Sequence, residues 1–123
     1  RSIVESIEPT LTEEDGIVLI ARQADFLPDI VKGIAFGLKP KFPNLVFVIG
    51  SAVGGKPALT VMLGDEIVSR GVDASKVVRE AAKEISGGGG GQPFYATAGG
   101  KDAAGIEKAI FRAVELIKTQ LKR

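Results

Sequence analysis

The chain has 123 residues, of which 16 are basic and 15 acidic, so its net charge is only +1. No overall basic field announces a nucleic-acid binder, and any such role must rest on a local patch. Cysteine and histidine are both absent, which removes thiolate and imidazole chemistry, the usual zinc ligands and the commonest general base. The length suits one domain with a core that needs neither disulfides nor metals. No apolar run reaches the roughly 18 to 20 residues of a membrane span, and the lack of cysteine agrees with a cytoplasmic location. A start at Arg1 rather than methionine reads as a fragment whose upstream domains are missing.

Residues 1–15 mix Ile3, Val4 and Ile7 with acids and Pro9, and are expected to be a lead-in from a preceding domain. Gly16 to Arg22 reads as a buried strand. Asp25 and Leu27-Pro28-Asp29 then suit the first turn of a helix. Leu27, Ile30, Val31, Ile34, Ala35 and Leu38 recur at helical steps and are expected on its buried face, with the end near Lys39-Pro40. Leu45 to Ile49 is the most strand-like run, and Ala58 to Leu63 follows it after Gly54-Gly55-Lys56-Pro57, which argues a hairpin. Gly50, Gly55 and Lys56 match most of a phosphate-binding P-loop. The final Ser/Thr position holds Pro57, however, and a strand rather than a helix follows, so the hairpin is the better reading.

Asp65 to Arg70 predicts one or two helical turns closed by Gly71. Asp73 is placed to cap a helix over Ala74 to Ile85. Asp65, Glu66 and Asp73 therefore have structural roles, and no activated nucleophile stands beside them. Phe94 to Ala98 alternates as a short strand, and Asp102 can cap a last helix from Ala103 to Leu121. On that helix Ile106, Ala109, Ile110, Ala113, Val114, Ile117 and Leu121 form one apolar stripe. This order of elements predicts an α/β (α+β) layered domain. Its sheet is mixed and of about four strands, with the first helix crossing over between two parallel strands.

The exception to this regularity is Gly87 to Gly91, five consecutive glycines followed by Gln92 and Pro93. Ordering such a run forfeits roughly 0.5 to 1 kcal/mol per glycine. As a loop, it would offer N–H groups that can converge on an anion with no Cβ to hold a phosphate away. A flexible linker is the plain alternative, but ordered-looking elements stand on both sides. The full pattern runs Gly-Gly-Gly-Gly-Gly-x-Pro-x-x-Ala-x-Ala-Gly-Gly, from Gly87 to Gly100. It resembles the signature of the C-terminal, DHH-associated domain of alanyl-tRNA synthetases, and Val77-Val78-Arg79-Glu80-Ala81-Ala82-Lys83 adds to the likeness. One position departs, since Gln92 stands where that family commonly has arginine.

The resemblance implies a tRNA-binding domain over 16–123 that supports aminoacylation and editing carried out by other domains of a parent synthetase. Catalysis, ATP and zinc would belong to those domains, and this stretch would carry no catalytic residue, cofactor or metal of its own. The partner would be tRNA, alanine-specific by resemblance, and a homodimer would form mainly through a helical segment before this stretch. The resemblance carries over Gly87, Gly88, Gly89, Gly90, Gly91, Gln92, Pro93, Ala96, Ala98, Gly99 and Gly100. Candidate phosphate contacts from charge are Lys39, Lys41, Lys56, Lys101, Lys108 and Arg112. Tyr95 is the expected exposed ring for an unstacked base, with Phe94 in the core. Valine at Gly89 and Gly90 is expected to weaken tRNA binding and leave the fold intact. Two other readings stand beside this one. The first is the substrate-binding half of a DHH phosphoesterase acting on nucleic acid or dinucleotides; the second is a protein-interaction or dimerisation module with the glycines as a linker.

Overall fold

The computed structural model describes residues 12–14, 17–23 and 28–121. Their centre is a six-stranded mixed sheet: β1 (Thr12–Glu14), β2 (Ile17–Gln23), β3 (Leu45–Val53), β4 (Lys56–Leu63), β5 (Gly88–Gly91) and β6 (Tyr95–Gly99), in the order β1-β2-β3-β4-β6-β5. The helices are α1 (Pro28–Leu38), α2 (Asp65–Ser69), α3 (Ala74–Ala81) and α4 (Ile106–Leu121). The class is the α/β one expected from the sequence, with two more strands than the four anticipated. One is β1, which lies inside the stretch read as a lead-in; the other is the glycine run.

The parallel pair β2–β3, from Val18 opposite Leu45 to Gln23 opposite Gly50, is joined through α1 as expected. Pro28 opens α1, where its missing N–H costs nothing because the first turn has no intrahelical acceptor for it. The β3–β4 hairpin closes on Gly54 and Gly55 with φ of +64° and +78°. A two-residue loop with both φ positive matches the twist of its strands and favours glycine at both places. Lys56 thus begins a strand opposite Val53, and the P-loop spacing has no helix to serve.

Strand alternation sends side chains to two separate cores. On one face Ile20, Leu45, Phe47, Ile49 and Met62 meet Val31, Ile34, Ala35 and Leu38 of α1. On the other, Val46, Val48, Leu59, Val61, Ala96 and Ala98 meet Val77, Val78 and Ala81 of α3 together with Ile106, Ala109, Ala113 and Ile117 of α4. The result is three layers with the sheet in the middle. Fully burying each large aliphatic of the α4 stripe contributes about 1.5 to 3 kcal/mol, which is what holds that helix on the sheet. Ile30 departs from the expected buried face, being 38% exposed, and Leu27 lies outside the described residues.

Two caps read from the sequence are present. The Asp73 carboxylate accepts from Ser75 N at 2.9 Å and opens α3. The Asp102 carboxylate accepts from Ala104 N at 3.1 Å at the head of a 3₁₀ turn, Ala103–Gly105, that runs into α4. The helix expected over Ala74 to Ile85 is α-helical only to Ala81. It tightens to a 3₁₀ turn over Ala82–Ile85 and ends at Ser86, which adopts a left-handed φ of 54°.

Candidate nucleic-acid interface

The glycine run is an edge strand, which corrects the expectation of an anion-cradling loop. Gly87 N donates to the Ala82 carbonyl at 3.0 Å, and Gly88–Gly91 then pairs antiparallel with β6, from Gly88 opposite Gly99 to Gly91 opposite Ala96. Gln92 N donates to the Tyr95 carbonyl at 2.7 Å, and Tyr95 N to the Gln92 carbonyl at 3.3 Å. This doubly bonded pair sets the alternation up the ladder. Gly90 and Gly88 bond to β6, while Gly89 and Gly91 turn their N–H and C=O groups to the outside. Successive amides therefore point in opposite directions, and no concave nest forms. What the run presents is a bare rim. Gly88, Gly89 and Gly91 are exposed, and β5 is the last strand of the sheet.

Alternate positions of the run need glycine for a steric reason. A Cβ on Gly89 would sit 2.5 Å from Ala98 Cα, one on Gly87 2.5 Å from Gly100 Cα, and one on Gly91 2.6 Å from the Tyr95 carbonyl oxygen. All three would collide with the backbone of β6 or the residue after it. A Cβ on Gly88 would meet nothing within 4 Å, and one on Gly90 would meet only the Arg79 guanidinium, at 3.8 Å. Valine at Gly89 is thus incompatible with β5–β6 pairing, contrary to expectation, whereas Gly90 has room.

The candidate side chains divide between the two ends of the rim. At one end lie Gln92, Pro93 and Tyr95. The Pro93 carbonyl accepts from Ala74 N at 2.9 Å and the Phe94 carbonyl from Leu63 N at 2.7 Å, so this hairpin tip is pinned to α3 and β4. Tyr95 is not the free ring anticipated, nor is Phe94 core. Both are half-buried against Phe36 of α1, whose centroid lies 5.1 Å from Tyr95 and 6.5 Å from Phe94, edge-on to the latter. Phe36 itself is 42% exposed and is the ring that pattern reading missed, because it falls off the apolar stripe of α1.

Lys39 stands over Phe94, 5.2 Å from the ring centroid, and pairs with Asp65 at 2.7 Å. These residues line a cleft of about 330 Å³ with Phe36, Pro40 and Pro43. Lys41 is exposed in the turn after α1. At the other end lie Lys56, Gly99, Gly100 and Lys101, brought together because Gly99 is opposite Ala58 and Gly100 N donates to the Pro57 carbonyl at 3.1 Å. Lys108 is exposed on α4, and Arg112 reaches across to Glu80 of α3 at 3.9 Å.

Burial raises the Tyr95 phenol above its ordinary value, and the nearby Asp29 carboxylate adds to the effect. Because the chain has one tyrosine and no tryptophan, an ultraviolet phenolate titration reports this group alone. Its midpoint should lie above about 10, and Asp29→Asn should lower it without abolishing the shift. A raised folded pKa means the associated stability is intact below the unfolded value and fades as pH climbs through the folded one. A midpoint at or below the free phenol value would contradict this account of the Tyr95 environment.

The basic row that the sequence reading did not single out is on α3. Lys76 and Arg79 on α3, and Lys83 in the 3₁₀ turn that follows, are all exposed, and the i, i+3 spacing of the first two places them on one side of the helix. Arg79 lies in the Val77 to Lys83 stretch already noted for its likeness, and the spacing of its charges was the available signal.

The chain belongs to the DHHA1 domain family, whose model matches residues 15–122. It is 47% identical over 116 residues to the alanine-tRNA ligase of Bacteroides thetaiotaomicron and 42% identical over 121 residues to that of Cytophaga hutchinsonii. Those alignments take in 94% and 96% of this chain but only 13% and 14% of the relatives, so the chain spans about one-seventh of their length. Its fold is similar to the C-Ala domain of Aquifex aeolicus alanyl-tRNA synthetase, with a TM-score of 0.74 and 28% identity, covering 92% of this chain and all of that one. A DHH-domain protein described as a member of a family of ribosomal proteins shares the fold at a TM-score of 0.66 and 13% identity, over 97% of this chain and 29% of that one. The likeness drawn from the glycine signature and the likeness of the whole chain thus point to the same relatives. Among the described residues no helix is long and apolar enough to cross a membrane.

Proposed function

We propose that this chain is the C-terminal domain of an alanine-tRNA ligase and that it binds folded tRNA there. The observation that carries the reading is the near-complete alignment to alanine-tRNA ligases at 42–47% identity, in which the chain occupies about one-seventh of the protein. Ligation, with the ATP and zinc it would draw on, falls to the remaining length, as does any dimer contact. The described elements run from the edge strand Thr12–Glu14 to the end of α4 at Leu121. The open rim of β5 supports tRNA binding, because a strand without side chains lets a sugar-phosphate backbone approach peptide groups directly. Such contacts fix the position of an RNA and leave its base sequence unread, so recognition is of shape.

A filter-binding titration tests this. An alanine tRNA and a second tRNA of different sequence should bind with comparable affinity, and the affinity should fall as salt rises because phosphate contacts release counterions. A duplex of the same length, which lacks the bent tertiary shape, should bind less tightly. Equal binding to the duplex, or none to either tRNA, would refute the proposal, and parallel titration with ATP separates a nucleotide-binding rim from an RNA-binding one.

A further inference from the structure

We infer that Arg79 is the residue that holds a backbone phosphate of RNA laid along β5. The inference rests on the tRNA-binding reading above and names the contact within it. Helix α3 runs beside the rim in the opposite sense. Its first residue is tied to Pro93 at one end of β5, and the 3₁₀ turn that prolongs it is tied to Gly87 at the other. At about 100° per residue, Arg79 falls on the flank of α3 nearest the rim. Its Nε and Nη2 lie 3.8 Å from where a Cβ on Gly90 would be.

Charge pairing separates it from Lys83, Arg112 and Lys39, and its place beside Gly90 separates it from Lys76. Lys83 and Arg112 both reach Glu80, at 3.1 and 3.9 Å, and Lys39 holds Asp65 at 2.7 Å. Arg79 has no ion-pair partner among the described residues and is exposed. Gln92, at the end of the run, carries no charge, so an ionic contact to a phosphate on β5 must come from outside the strand. A guanidinium matches a phosphate with two parallel N–H donors. The outward amides of Gly89 and Gly91 lie on the same strand, on either side of Gly90, and Lys76 adds an exposed positive charge one turn earlier on α3. The ligand class is therefore a ribose-phosphate strand, laid along β5 with Arg79 beside it.

The test compares Arg79→Gln with Lys32→Gln, an exposed lysine on α1 in the opposite layer, by titrating each 123-residue variant with folded tRNA over a series of salt concentrations. R79Q should weaken binding about tenfold, the loss of one charge-assisted contact, and lower the slope of log K against log salt by about 1. K32Q should change neither. An unchanged urea midpoint for R79Q shows that the loss is one of contact and not of fold. If the unaltered chain fails to bind tRNA, both the domain reading and this contact fall. If it binds and R79Q matches it in affinity and slope, or K32Q loses as much as R79Q, the assignment to Arg79 alone is overturned.

Discussion

Gly89→Ala should destabilise the domain by about 1 to 3 kcal/mol, the range found when an atom is forced into a packed site. Gly88→Ala, one position away in the same run, should stay within about 0.5 kcal/mol of the parent, as an unobstructed surface change does. The contrast arises because a Cβ on Gly89 would lie 2.5 Å from Ala98 Cα, while one on Gly88 would meet nothing within 4 Å. The strand must move off β6 to admit it, and the hydrogen bonds of Gly88 and Gly90 to β6 are lost with the move. Urea titrations of the two single variants measure the difference directly. Equal midpoints would mean that β5 is not paired in the register described. The same comparison sorts binding from folding, since any loss of tRNA affinity in Gly88→Ala would arise at the rim itself.

A larger loss, about 3 kcal/mol or more, is expected for Gly105→Ala. A Cβ there would lie 2.8 Å from the Glu84 carbonyl carbon, with the Glu84 oxygen nearer still. The 3₁₀ turn Ala82–Ile85 is the fixed partner in this contact, and it has little freedom to retreat. The Ile85 carbonyl accepts from Lys101 N at 2.9 Å and from Asp102 N at 3.0 Å. Displacing it would strain two hydrogen bonds worth roughly 0.5 to 1.5 kcal/mol each, on top of the overlap itself. Gly100→Ala should behave similarly, because a Cβ there would sit 2.8 Å from Ile85 Cγ1 and against the same carbonyl. The second glycine of the pair behind β6 therefore serves the joint between α3 and α4. Thermal melts of Gly105→Ala and Gly100→Ala that match the parent would remove the steric basis for both positions.

Much of the fold was legible because its signals are local. The apolar periods of α1, α3 and α4, the β-branched run of β3, the Gly54-Gly55 turn and the caps at Asp73 and Asp102 all depend on a few adjacent residues. The glycine run was not legible as a strand, because a sequence without side chains has neither period nor propensity. Its conformation is imposed by β6 alongside it and by the Gln92–Tyr95 pair that closes the hairpin. The aromatic site was misread for a related reason. Alternation was applied from Phe94, but the strand begins at Tyr95, and Phe94 sits in the turn where it meets Phe36 from a distant helix. Arg79 escaped because its significance comes from Gly90, a neighbour eleven positions away in sequence that only the folded chain brings near.

Peptide groups keep the same protonation state throughout the range in which histidine and cysteine change theirs, and the chain has neither of those residues. The main-chain rim of Gly88 to Gly91 therefore contains no group that gains or loses a proton between mildly acidic and mildly alkaline conditions.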